Sequence, residues 1–173
     1  MIIGEQFTTN AINYMKTNQQ VVDAWIGRQH ADGAHIFTDG TTIYSYGYHF
    51  PIATILPNGK VLYNTTRYSN TTAKHQSLVR WAIRDRVCVR CHCISRHDNE
   101  VRTKLAIGEL LEKIPRCRKL GDRTLDVKLE IDKYESYCEA MEDKIPSWVY
   151  NIKFALNNLK GKSLRTWAKT YRL

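Results

Sequence analysis

Many of the usual signposts are missing from this chain. No apolar run approaches the ~20 residues needed to cross a bilayer. The opening Met1-Ile2-Ile3-Gly4-Glu5-Gln6 lacks the basic-then-apolar layout of a signal peptide. The expectation is therefore a cytoplasmic protein with no membrane partner, in the host cytoplasm if a phage encodes it. Five cysteines is an odd count, and Cys88, Cys91 and Cys93 crowd into six positions. This argues against a secreted disulfide framework and for reduced thiols or a metal. There is no internal repeat, low-complexity tract or long linker, and no motif that reads a DNA groove. Gly161-Lys162-Ser163 imitates the end of a phosphate-binding loop, but Leu156 stands where the earlier glycine belongs. One more absence is informative: residues 144–173 contain no acid.

What is present describes a folded, basic protein. The 173 residues are 43% hydrophobic and 25% charged, enough for a real core and unlike a disordered chain. The formal charge is +9, which favours polyanionic partners through long-range attraction and counterion release.

Apolar spacing over 6–27 (Phe7, Ala11, Tyr14, Met15, then Val21, Val22, Trp25, Ile26) predicts two short helices with a cap or break at Lys16-Thr17-Asn18. Residues 28–33 read as a polar loop. From His35 the period falls to two. Asp39-Gly40 and Pro57-Asn58-Gly59 mark hairpin turns, and Pro51 demands an edge or a bulge. The expectation is an antiparallel meander over about 34–65. A helix over 70–90 follows, capped by Asn70 or Thr71, with Leu78, Val79, Ala82, Ile83 and Val87 on one face. The remainder reads as helices: 99–113, with a stripe of Val101, Leu105, Leu110 and Leu111; 124–143, whose alternating first half also fits a strand; 146–159; and 163–172. The fold class is thus α+β. Residues 1–97 form an α+β part and 98–173 a helical part, with a shared core left open.

Three constellations carry chemistry. The first surrounds the meander and the following helix. Arg67, Tyr68, Thr71, Thr72 and His75 gather at a helix N-terminus, where free backbone N–H groups and the dipole form an anion pocket. Tyr46 is placed to stack on a base. His49 with His75 offers an acid–base pair for metal-independent RNA cleavage, although threonine caps and a carbonyl-bonded histidine are also routine structure.

The strings Tyr44-Ser45-Tyr46-Gly47-Tyr48-His49-Phe50-Pro51-Ile52-Ala53 and Arg67-Tyr68-Ser69-Asn70-Thr71-Thr72-Ala73-Lys74-His75-Gln76 also carry a resemblance. Roughly residues 20–95 resemble a small domain of unassigned function found in proteins of bacteriophages, plasmids and other mobile elements. The resemblance brings no activity and no catalytic residues. It implies a phage or mobile-element accessory protein that acts on host defence, transcription or translation. Residues 98–173 share in no such resemblance.

The second constellation is Cys88, Cys91 and Cys93 with His97, ligands enough for a tetrahedral zinc. Crowding within ten residues makes buried or idle thiols the more ordinary reading, and no other cofactor is expected. The third is the basic aromatic tail. Lys153, Lys160, Lys162, Arg165, Lys169 and Arg172 can neutralise phosphates while Trp148 and Trp167 stack on unpaired bases; alternatively the rings pack the helices. The combined reading is binding rather than catalysis, with nucleic acid, RNA favoured over DNA, or a ribonucleoprotein as partner. An inhibitor of a host defence or regulatory protein, anti-CRISPR-like in action, is the alternative, and a small ribonuclease is the third.

Overall fold

A computed structural model describes residues 15–173. The helix expected around Phe7, Ala11 and Tyr14 lies outside the described residues. Helix α1 (Asn18–Ile26) begins with a capping box: Thr17 Oγ1 accepts the Gln20 N–H at 3.3 Å, and Gln20 Oε1 accepts the Thr17 N–H at 2.9 Å. Val21, Val22 and Trp25 are buried, and the Trp25 indole donates to the Thr41 carbonyl at 2.8 Å, pinning the helix to a hairpin turn.

Five strands follow in antiparallel succession: β1 (His30–Asp32), β2 (Ile36–Asp39), β3 (Thr42–Ser45), β4 (Pro51–Ile55) and β5 (Val61–Asn64). The expected meander is there, and the polar loop at 28–33 contributes a further edge strand to it. Gly40 and Gly59 take φ of +90° and +81° in the two predicted turns, a region open to glycine at little cost. Pro51 opens β4 opposite Tyr44, where the register shifts, so its missing N–H falls on an irregularity of the ladder.

Helix α2 (Asn70–Ala82) is shorter than the expected 70–90, and its cap is Ser69 rather than Asn70 or Thr71. After the Arg84–Arg86 turn the chain extends into β6 (Cys88–Cys91), which pairs in parallel with β5, Leu62 opposite Val89 and Tyr63 opposite Arg90. β-Branched Val87 and Val89 flank a short alternating run that suits a strand, and β5 supplies an edge to pair with. Val87 is consequently exposed instead of lying on a helix face.

Helices α3 (Arg96–Lys113), α4 (Leu120–Ala140), α5 (Ser147–Asn158) and α6 (Gly161–Thr170) complete an α+β fold with a helical C-terminal part; a 3-10 turn (Ile114–Arg116) follows α3. The expected α3 stripe is corrected: Val101 and Leu105 face solvent, while Asn99, Thr103, Ile107 and Leu111 are buried. Polar residues occupy the inner face because they are satisfied there. Asn99 Oδ1 accepts the His92 and Cys93 N–H groups at 2.8 and 3.2 Å, and Thr103 donates to the Asn99 carbonyl. In α4 the alternating apolar residues sort by helical turns, Val127 and Ile131 inward, Leu125 and Leu129 outward.

Two apolar clusters result. One joins α1 and α2 to a face of the sheet; the other joins the C-terminal helices, and Leu56, Leu62 and Cys91 of the first half belong to it. Arg165 closes the second cluster: Nη1 donates to the Ile114 and Pro115 carbonyls at 3.1 and 2.9 Å, and Nη2 donates to the Cys117 carbonyl at 2.8 Å. Those carbonyls end a helical segment, where the helix supplies few donors of its own; the Ile114 carbonyl also accepts the Cys117 N–H at 3.4 Å. Replacing Arg165 with Ala is expected to lower stability by about 2–3 kcal/mol. Lys should restore little, since one ammonium cannot fork to three acceptors. Urea unfolding midpoints of the three proteins check this.

Candidate functional site

The N-terminus of α2 is built to hold the helix rather than to open toward solvent. Ser69 Oγ accepts the Thr72 N–H at 3.1 Å, and Gln76 Nε2 donates to the Asn64 and Thr66 carbonyls at 2.8 and 3.0 Å. Thr72 and His75 are 1% and 3% exposed, with His75 Nδ1 lying 2.8 Å from Ser45 Oγ. Burial, and then the charge of His35, pushes the His75 pKa down. The expected anion pocket is corrected accordingly: Thr72 and His75 turn inward, and Arg67, Tyr68 and Thr71 alone stay exposed. His49 is exposed, its ring lying against Gly47, so the proposed acid–base pair has one member in solvent and one in the core.

Tyr46 holds φ of +61°, uncommon for a tyrosine, and its half-exposed ring lies 4.8 Å from His35 and 5.8 Å from His75. Phe37, Tyr44 and Tyr48 form a second group of mutually touching rings about 5 Å apart.

The basic tail is largely spoken for. Lys153 donates to both oxygens of Glu135 at 2.9 Å, so an acid of the preceding helix neutralises it. Arg165 turns inward, as above. Trp148 donates to Glu100 at 3.0 Å and packs on Tyr134, and Trp167 packs on Tyr171 at 4.7 Å. Both expected stacking rings therefore work as packing, because each fills a gap between helices. Lys160, Lys162, Lys169 and Arg172 stay exposed, and Arg172 bonds back to the Lys169 and Tyr171 carbonyls.

The thiols separate for a simple reason. Cys88 and Cys91 sit three apart on a strand, an odd spacing that points them to opposite faces, whereas a helix would have brought them together. Cys88 is exposed. Cys91 is buried, with its thiol pushed up to about 12 by burial. Among the described residues no three His, Cys, Asp or Glu side chains gather as a metal-ligand set, so Cys88, Cys91, Cys93 and His97 do not converge.

The same alternation builds a different site. Val89 and Cys91 join the C-terminal cluster, which leaves Cys88 and Arg90 on the side of α2. There Arg80, Trp81 and Arg84 meet Arg86, Cys88 and Arg90 around a cleft of about 530 Å³, floored by Tyr63 and Ile83. The Trp81 ring is 67% exposed, and the Arg84 guanidinium lies 5.0 Å above it. Asp85 touches Arg84 at 3.2 Å from the solvent side; Arg80, Arg86 and Arg90 have no ion-pair partner among the described residues. Sequence reasoning missed this site because it ran a helix through residue 90. The available signal was four arginines and a tryptophan against one acid in the eleven residues 80–90.

No family model, no curated protein and no solved structure matches the chain. No helix among the described residues is long and apolar enough to cross a membrane.

Two outcomes test the site's geometry. Alkylation of the folded protein should modify Cys88 long before Cys91, and peptide mapping reads the order. A lowered His75 pKa means its neutral form stabilises the fold above the ordinary value of 6.5. That stability is lost as pH falls, because the unfolded chain takes up the proton first. The urea midpoint should fall between about pH 7 and about pH 5.5, and fall less in His75→Gln.

Proposed function

We propose that the protein binds nucleic acid, RNA in preference to DNA, through the cleft between α2 and β6. The observation that carries this reading is a cleft lined by four arginines from a helix, a turn and a strand beside one exposed indole, with the Arg84 guanidinium 5.0 Å over the ring. Guanidinium forks suit phosphate oxygens, and a free aromatic face suits an unpaired base. A small acidic metabolite would ask for fewer cations and a more enclosed pocket. Exposed Arg67, Lys160, Lys162 and Lys169 add a diffuse positive field that speeds encounter with a polyanion. The origin implied by the resemblance, a phage or mobile-element accessory protein in the host cytoplasm, is compatible with such a role. No cleavage step is proposed, since His75 is spent on Ser45 inside the core.

A second reading, an inhibitor that docks on a host protein, draws support from outward apolar pairs one turn apart: Val101 with Leu105, Leu125 with Leu129, and Tyr150 with Phe154. Nuclease treatment separates the two readings, because a partner captured directly survives it.

Binding of a fluorescent single-stranded RNA should weaken steeply with salt. With each neutralised phosphate worth a logarithmic slope of about 0.7, four cleft arginines predict a slope near ~3. Changing Arg86 and Arg90 to Ser should reduce that slope by about 1.4. An affinity indifferent to salt and to these substitutions would contradict the proposal.

A further inference from the structure

The walls of the cleft constrain what sits in it. Resting on the nucleic-acid reading above, we infer that the cleft receives one unpaired base of single-stranded RNA and selects uracil or guanine over cytosine or adenine. The argument is a count of donors and acceptors. Arg80, Arg84, Arg86 and Arg90 present N–H donors and no acceptor. The Tyr63 hydroxyl is buried, donating to the Gln76 carbonyl at 3.0 Å, and is not offered to a ligand as an acceptor. The Cys88 residue is exposed but its sulfur is partly shielded, which pushes the thiol pKa up, and a thiol sulfur is a weak acceptor. Among the described residues, no amide or carboxylate side chain lines the cleft.

A ligand facing such walls must bring the acceptors. Uracil offers two carbonyl oxygens, and guanine offers O6 and N7, the pair that arginine reads best. Where uracil has O4 and guanine has O6, cytosine and adenine carry an amine, which points donors at donors and leaves N–H groups unpaired as the site dries. Trp81 and Arg84 define where the base lies. A planar guanidinium already rests 5.0 Å over the indole, and a base can take that place or stack outside it, with the cation–π contact as its mould. Of the remaining arginines, one reads the keto edge of the base and the others meet the flanking phosphates. A base inside a duplex has both faces covered and cannot reach an indole, so the site discriminates against paired RNA. The volume of about 530 Å³ holds a single nucleotide with its phosphate and falls within the usual range of ligand clefts.

Oligouridine and oligocytidine of equal length give the cleanest comparison, since phosphates, sugars and ring size are the same and an oxygen replaces an amine. Oligouridine should bind the intact protein about tenfold more tightly than oligocytidine. Trp81→Ala should abolish that gap while leaving weaker, salt-sensitive binding of both, and Trp81→Phe should restore part of it. Bound oligouridine should also slow alkylation of Cys88, which lies in the cleft. Trp81 is exposed, so its variants should keep the wild-type urea midpoint, which checks that they fold. Equal or tighter binding of oligocytidine, or a gap that survives Trp81→Ala, would overturn the base-selective site and leave general nucleic-acid binding standing. No binding of either oligomer at low salt would overturn both.

Discussion

The parallel pairing of β5 with β6 is the contact on which the rest of the molecule depends. It runs from Val61 opposite Cys88 to Asn64 opposite Cys91, with the Val61 N–H donating to the Val87 carbonyl and the Thr65 N–H to the Cys91 carbonyl. A parallel pair needs a crossover, and α2 supplies it. The two faces of this four-residue strand then do different work. Val89 and Cys91 bury against the C-terminal helices, joining the helical half to the sheet. Cys88 and Arg90 look back toward α2 and turn its Arg80, Trp81 and Arg84 from a solvated helix face into one wall of a cleft.

Charge and burial are arranged consistently with that division. Acids of the C-terminal half are used to neutralise cations nearby: Glu135 holds Lys153, Asp143 holds Arg96, and Glu130 holds Lys133 together with His92. Around the cleft the one acid among the described residues, Asp85, forms an exposed pair, which screening renders weak. The positive charge left over by the whole chain is therefore not spread evenly in effect. It is most usable where no carboxylate competes for it.

Much of the fold could be read from residue order. Period-two alternation and the Asp39-Gly40 and Asn58-Gly59 turns are local signals, and β2 to β5 of the meander follow from them; β1, at His30–Asp32, reads as polar loop. The helix ends near Pro146 and Gly161 are equally local. What escaped reading depends on distant partners. β6 is four residues long, and its alternation means little until β5 is known to lie beside it. Once residues 83–90 are continued as helix, Cys88 and Cys91 seem to share a face and Arg90 seems to belong to another surface. Thr72 and His75 read as ligand-facing groups, and the buried Asn99 lies outside the stripe read for α3, yet His75 is placed by Ser45 and Asn99 by the His92 N–H, partners that folding brings together. Lys153 and Arg165 were legible as cations, but not as cations already satisfied by Glu135 and by three carbonyls.

The most direct measurement is amide NMR of the segment from Ile83 to Cys91. The account requires cross-strand contacts between residues 61–64 and 88–91, in the register Leu62 to Val89, and slow exchange of the Val61 and Thr65 N–H groups. Unbroken helical contacts from residue 83 through residue 90, with rapid exchange at Val61 and Thr65, would contradict it. In that case Arg86 and Arg90 would leave the indole of Trp81, and the cleft would not exist.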